Sequence, residues 1–296
     1  MHVFFKSAST LVASMVFLAS APVFADKIKA DVANGEKIFK NGKSVVAHPD
    51  TPKSSESVPA QVAEAQAGIE VPACTTCHGD NGMGSDAMGT PRLVGLGFKY
   101  LVKQLNDFAA ERRKDTTMYV MNNNAKGLTE QERIDVAAYL TMRYFQDDPE
   151  LKPSTKTDVE GLGGKFGKSH LGKTLVLEGA SDRGISACKS CHGWNGRGRA
   201  PMYPAIGKQR YVYLVNQLTK WRDGAANPTD KEKGRSNDFM GQMRAVAKHL
   251  TDEDIQNAAA YLTAAKRSTL GNPRIPDNRQ VFANVELTGS KAAAGH

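Results

Sequence analysis

All four cysteines of the chain fall in two copies of one pattern, Cys74-Thr75-Thr76-Cys77-His78 and Cys188-Lys189-Ser190-Cys191-His192. In such a unit the two thiols add across the vinyl groups of a haem to form thioethers. The adjacent imidazole then lies under the iron as an axial ligand. A disulfide would not require a histidine directly after the second cysteine, whereas haem attachment does. A four-sulfur zinc site from Cys74, Cys77, Cys188 and Cys191 would leave both histidines unexplained and would need two distant segments to meet. A thioredoxin-like pair opens a helix after a strand, and no strand-rich βαβ pattern precedes either motif. The motifs therefore point to two covalently bound haem c groups, with His78 and His192 on the irons.

The second axial ligand decides the chemistry. A methionine thioether fills the sixth position and favours electron transfer, whereas an open position favours ligand binding or peroxide chemistry. The elements that must place such a ligand occur twice, because the chain is an internal repeat. Gly35-Glu36-Lys37-Ile38-Phe39-Lys40-Asn41-Gly42 resembles Gly172-Lys173-Thr174-Leu175-Val176-Leu177-Glu178-Gly179. After the motifs, Pro91-Arg92-Leu93-Val94-Gly95 matches Pro204-Ala205-Ile206-Gly207, and Tyr100-Leu101-Val102-Lys103-Gln104-Leu105 matches Tyr213-Leu214-Val215-Asn216-Gln217-Leu218. Thr129 and Thr251, each with an acidic residue three positions later, are helix N-caps for a last amphipathic helix. Met121 and Met243 each stand seven residues before the leucine that precedes this cap (Leu128, Leu250), and Met118 and Met240 stand ten before it. Position alone leaves both pairs open.

These matched segments resemble the dihaem cytochromes of the cytochrome c4 type, in which two class I cytochrome c domains follow a signal peptide. The resemblance covers nearly all of the chain after residue 25. It implies an all-α fold of two tandem domains, each wrapped around one haem. It also implies that Met121 and Met243 are the sixth ligands, with Met118 and Met240 as filler. Pro91 and Pro204 would pack on the histidine side, where a nearby carbonyl would fix the orientation of the ligand imidazole. The implied function is a dihaem electron carrier between a respiratory donor, such as a quinol-oxidising complex or dehydrogenase, and a terminal oxidase or reductase. The alternative is a haem-bearing electron-transfer subunit of a dehydrogenase complex. Dihaem peroxidases need an accessible sixth position, and thiosulfate-oxidising dihaem enzymes use a cysteine ligand for which this chain has no spare residue. The expected role is thus electron transfer without a catalytic residue.

Composition agrees with a globular protein, at 40% hydrophobic and 24% charged residues, while only 7% aromatics leave room for a buried apolar cofactor. Lys6, the apolar run from Leu11 to Ala19 and Val23-Phe24-Ala25 read as a secretory signal cleaved after Ala25. The run is shorter than the roughly 20 residues that span a bilayer, so the expected location is the periplasm. Residues 26–146 form the first expected domain and carry an insertion at about 43–71, read as a loop with a helical stretch near 60–67. A connector covers 147–171, the second domain 172–265 and a tail 266–296. His48, in the insertion, is expected to be an exposed loop residue. Residues 26–146 carry 15 basic and 15 acidic side chains, whereas those from 147 onward carry 23 and 16. Arg183, Lys189, Arg197, Arg199, Lys208 and Arg210 flank the second motif. Such a charge excess reads either as a solvated face that keeps the protein soluble or as a side that docks on an acidic redox partner or an anionic membrane surface; nucleic acid is not an expected partner of an exported haem protein.

Overall fold

The computed structural model describes residues 27–44, 70–143, 152–199, 202–265 and 285–289. The signal at 1–25, most of the 43–71 insertion with its helical stretch and His48, the first five residues of the connector and most of the tail lie outside these residues.

The described chain is mainly helical and its two halves repeat one design. In the first half, α1 (Val32–Asn41) leads to a single helical turn, α2 (Thr75–His78), then α3 (Phe98–Ala109), α4 (Val120–Gly127) and α5 (Glu130–Met142). A short helix in the expected connector, α6 (Lys156–Gly161), precedes the second half. That half runs through α7 (Ser169–Glu178), α8 (Lys189–His192), α9 (Tyr211–Ala226), α10 (Gln242–Ala247) and α11 (Asp252–Ala264). The connector region is therefore partly helical, and α7 begins three residues before the expected domain boundary.

Each half is held by the crossing of its first and last long helices, α1 on α5 and α7 on α11. Glycine permits the approach. A Cβ at Gly35 would lie 2.1 Å from the Asp135 carbonyl oxygen, and one at Gly172 would lie 1.8 Å from that of Asn257. Both last helices start in a capping box: the Thr129 and Thr251 hydroxyls accept the backbone N–H of Glu132 and Asp254, whose carboxylates accept the cap N–H in return. Around these crossings lie two apolar cores, one containing Phe39, Phe98, Leu101 and Leu140, the other Val176, Tyr211, Trp221 and Leu262.

One feature of the tail has no counterpart in the repeat. Strand β2 (Val285–Thr288) pairs in parallel with β1 (Ile28–Asp31), Ile28 opposite Val285. Val285 and Leu287 join the first core, so the end of the chain returns to the half where it began. Pairing across more than 250 positions leaves no local signal in a four-residue strand.

The halves also meet directly. Asp86 of the first half accepts the Val212 N–H at the start of α9 (3.0 Å) and the Ser154 hydroxyl (2.5 Å). A carboxylate at a helix N-terminus satisfies an orphan donor and suits the helix dipole.

Candidate haem sites

Both motifs fold as a cysteine followed by one helical turn. The His78 and His192 N–H groups bond the carbonyls of Cys74 and Cys188, each at 2.9 Å. Gly79 (φ 77°) and Gly193 (φ 73°) then stop the turn in a conformation that glycine adopts without steric cost. This brings Cys74 beside Cys77, and Cys188 beside Cys191, along one side of each turn. No disulfide joins any of the four. Burial pushes the Cys74 and Cys188 thiols up to about 11.

The histidines are buried, at 5% and 6% exposure. His78 Nδ1 lies 3.0 Å from the Pro91 carbonyl oxygen, and His192 Nδ1 lies 2.8 Å from that of Pro204. Burial lowers the pKa of both rings, and the proline carbonyls only partly oppose this. A neutral imidazole that gives its Nδ1 proton to a carbonyl must present a lone pair at Nε2. No partner for either Nε2 occurs among the described residues. A buried acceptor without a partner is costly, and an iron atom would satisfy it. The donor set fits haem c: paired thiols for the thioethers and an oriented imidazole for the metal. The carbonyl expected near each ligand histidine is that of Pro91 and of Pro204.

The loops behind the rings repeat bond for bond. Gly84 N–H bonds the His78 carbonyl at 2.8 Å and Gly198 N–H that of His192 at 2.7 Å. Leu93 N–H and Ile206 N–H likewise bond Gly82 and Gly196, each at 2.8 Å.

The methionines separate into two classes. Met118 and Met240 are 82% and 83% exposed, whereas Met121 and Met243 are partly buried, Met243 against the second core. Two consecutive left-handed residues precede each partly buried methionine by the same spacing. They are Met118 (φ 54°) and Tyr119 (φ 57°) in the first half, Met240 (φ 51°) and Gly241 (φ 72°) in the second. Left-handed conformation is uncommon for non-glycine residues and clusters at functional sites. His170 and His249 are exposed.

Sequence reasoning missed a buried polar cluster between the halves. Arg113 donates to Gln104 Oε1 (2.8 Å) and Gln217 Oε1 (2.9 Å), and Arg235 donates to the same two oxygens (2.7 and 2.8 Å). Gln104 and Gln217 are repeat partners, and each arginine stands eight residues before its half's Met121 or Met243. That shared spacing was the available signal. Burial and the facing Arg113 charge hold the Arg235 pKa below its ordinary value.

Residues 60–142 and 170–266 both match the family described as Cytochrome c. The chain belongs to the cytochrome c family. The cytochrome is 35% identical to a thiosulfate dehydrogenase electron acceptor of Thiomonas intermedia (strain K12), over 66% of this chain and 79% of the relative. A solved cytochrome c4 of Acidithiobacillus ferrooxidans is 27% identical with a TM-score of 0.51, covering 64% of this chain and 97% of that one. A thiosulfate dehydrogenase structure from Marichromatium purpuratum is 25% identical with a TM-score of 0.57, over 80% of this chain and 41% of the larger one. Two cytochrome c domains and two haem c motifs make the protein a cytochrome c4-like dihaem electron carrier.

Proposed function

We propose that Cys74, Cys77, Cys188 and Cys191 carry the thioether links, that His78 and Met121 are the axial ligands of one iron, and that His192 and Met243 are those of the other. When bound, haem c supplies one-electron cycling between ferric and ferrous iron. The observation that carries this reading is the pair of buried imidazoles, each fixed through Nδ1 by a proline carbonyl. The carbonyl sets the tautomer and the ring plane, and it raises the basicity of Nε2. The partial burial of Met121 and Met243, against the exposure of Met118 and Met240, supports their choice as sixth ligands. A filled sixth position leaves no place for substrate, so the protein carries electrons and does not itself catalyse a reaction.

The second domain offers the docking face. Trp194 and Phe239 are each 55% exposed, and Trp194 follows the second motif directly, with Lys189 Nζ 5.6 Å from its ring. An exposed aromatic with Lys189 over its ring, in a domain with an excess of basic residues, suits a redox partner with an acidic surface, and an anionic membrane surface would be attracted by the same charge. The working location is the periplasm, after signal removal at Ala25. The similarity to a thiosulfate dehydrogenase electron acceptor favours a dehydrogenase as donor, either passing through this carrier to a terminal oxidase or reductase or holding it as a subunit. Stopped-flow mixing of the holoprotein with a candidate dehydrogenase and its substrate tests this. Full reduction of both haems, slower at high salt and without carbon monoxide binding to the reduced protein, is expected. Ready carbon monoxide binding would contradict the carrier reading.

A further inference from the structure

The peptide group joining Pro91 to Arg92 is engaged at both ends. Its carbonyl faces His78 Nδ1 at 3.0 Å, and its N–H donates to Gln209 Oε1 at 2.7 Å. Gln209 belongs to the second domain, 117 residues away in sequence. Its Nε2 returns a bond to the Arg92 carbonyl at 2.9 Å. The contact is closed to water: Gln209 is 3% exposed and Arg92 0%. It is also held from both sides. Gln209 Oε1 accepts the Arg210 N–H at 2.9 Å. The Arg92 guanidinium donates to the carbonyls of Lys208 (3.0 Å), Gly207 (2.9 Å) and Val94 (2.6 Å).

Hydrogen bonds in series polarise one another, by perhaps 10–30% per bond. An amide whose N–H is drawn towards an acceptor carries more negative charge on its oxygen. Gln209 therefore strengthens the bond by which Pro91 holds His78, and that bond raises the basicity of the imidazole. The second site lacks this link. Pro204 is followed by Ala205, whose N–H makes no hydrogen bond among the described residues.

We propose that Gln209 is a positioning residue for the first haem site, through which the second domain sets the electron-donating strength of His78 and hence the ferric–ferrous balance of the first haem. This rests on the proposed ligand role of His78. A more basic imidazole favours ferric iron, so removing the Gln209 amide favours ferrous.

The test uses the full chain with both haems attached, comparing unaltered protein, Gln209→Leu, Gln209→Glu and Ser154→Ala. Haem-resolved spectroelectrochemistry is combined with NMR of the His78 ring protons in the ferric state. In Gln209→Leu the first haem is expected to move towards ferrous by roughly threefold, about 28 mV at 59 mV per tenfold for one electron. The His78 Nδ1 proton should shift with it, and the second haem should stay within error. Gln209→Glu keeps the acceptor, adds negative charge and should move the first haem towards ferric. Ser154→Ala cuts a different cross-domain bond and should move neither. The proposal is overturned if Gln209→Leu leaves the first haem and the His78 proton unchanged, if both haems move together, or if both Gln209 variants move it in one direction. Absence of iron-shifted His78 signals in the unaltered protein would overturn the ligand reading itself, and this proposal with it.

Discussion

The His78–Pro91 and His192–Pro204 loops hold their imidazoles at 3.0 and 2.8 Å, with matching backbone bonds behind each ring, yet the residue after each proline differs. In the first domain it is Arg92, fully buried and bonded to three carbonyls, two of them across the interface. In the second it is Ala205. The first domain is further clasped by the β1–β2 ribbon, whereas the second carries the excess of positive charge and the exposed Trp194 and Phe239. The repeat keeps the paired cysteines, the buried histidine and its proline carbonyl in both halves and changes what surrounds them. Two sites with one proposed ligand set differ in their outer contacts, which is what a carrier needs if electrons enter at one end and leave at the other.

The comparison can be broken most completely at the cysteines. Replacing Cys74 and Cys77 by serine should remove one covalent haem by mass spectrometry and leave the other, and replacing Cys188 and Cys191 should do the converse. Loss of both haems from either variant would show that the halves do not bind haem independently. The helix crossings come next. Gly35→Ala and Gly172→Ala each force a Cβ into a main-chain carbonyl, and each should cost about 3 kcal/mol in denaturant unfolding, the upper end of ordinary overpacking. Thr129→Ala and Thr251→Ala should each cost about 1 kcal/mol, the usual value of an N-cap. Unequal costs would mean that the two last helices are not held alike.

The smallest expected effect concerns Asp107, at the domain interface. Burial raises its pKa, but bonds from Lys103, Asn237 of the second domain and Arg112 outweigh this and hold it below its ordinary value. A carboxylate depressed in the folded state stabilises fully above its unfolded value of about 3.9, and that stability is lost as pH falls through the folded value. Unfolding measured from pH 6 to pH 2 should show this loss in the unaltered protein and a shallower one in Asp107→Asn.

Much of the site was legible because it is local or repeated. The haem motifs span five residues each and the capping boxes four; Met121 and Met243 each stand eight residues before a capping threonine, and the prolines follow the motif histidines by 13 and 12 residues. The cross-domain contacts were not legible. Arg92 reads as an ordinary polar residue in a loop, and nothing near it in the chain marks Gln209 as its partner. The pair forms only when two domains with independent cores come together. Met118 and Met240 illustrate a middle case: spacing left them rivals to Met121 and Met243, the family resemblance favoured the latter pair, and the exposure of the former pair supports the same choice.

The ligand set is tested most directly by the weak sulfur-to-iron absorption band at the red edge of the ferric spectrum, measured on single methionine variants. Met121→Ala and Met243→Ala should each abolish about half of the band, while Met118→Ala and Met240→Ala leave it intact. A band that survives in the first pair and halves in the second would contradict the account.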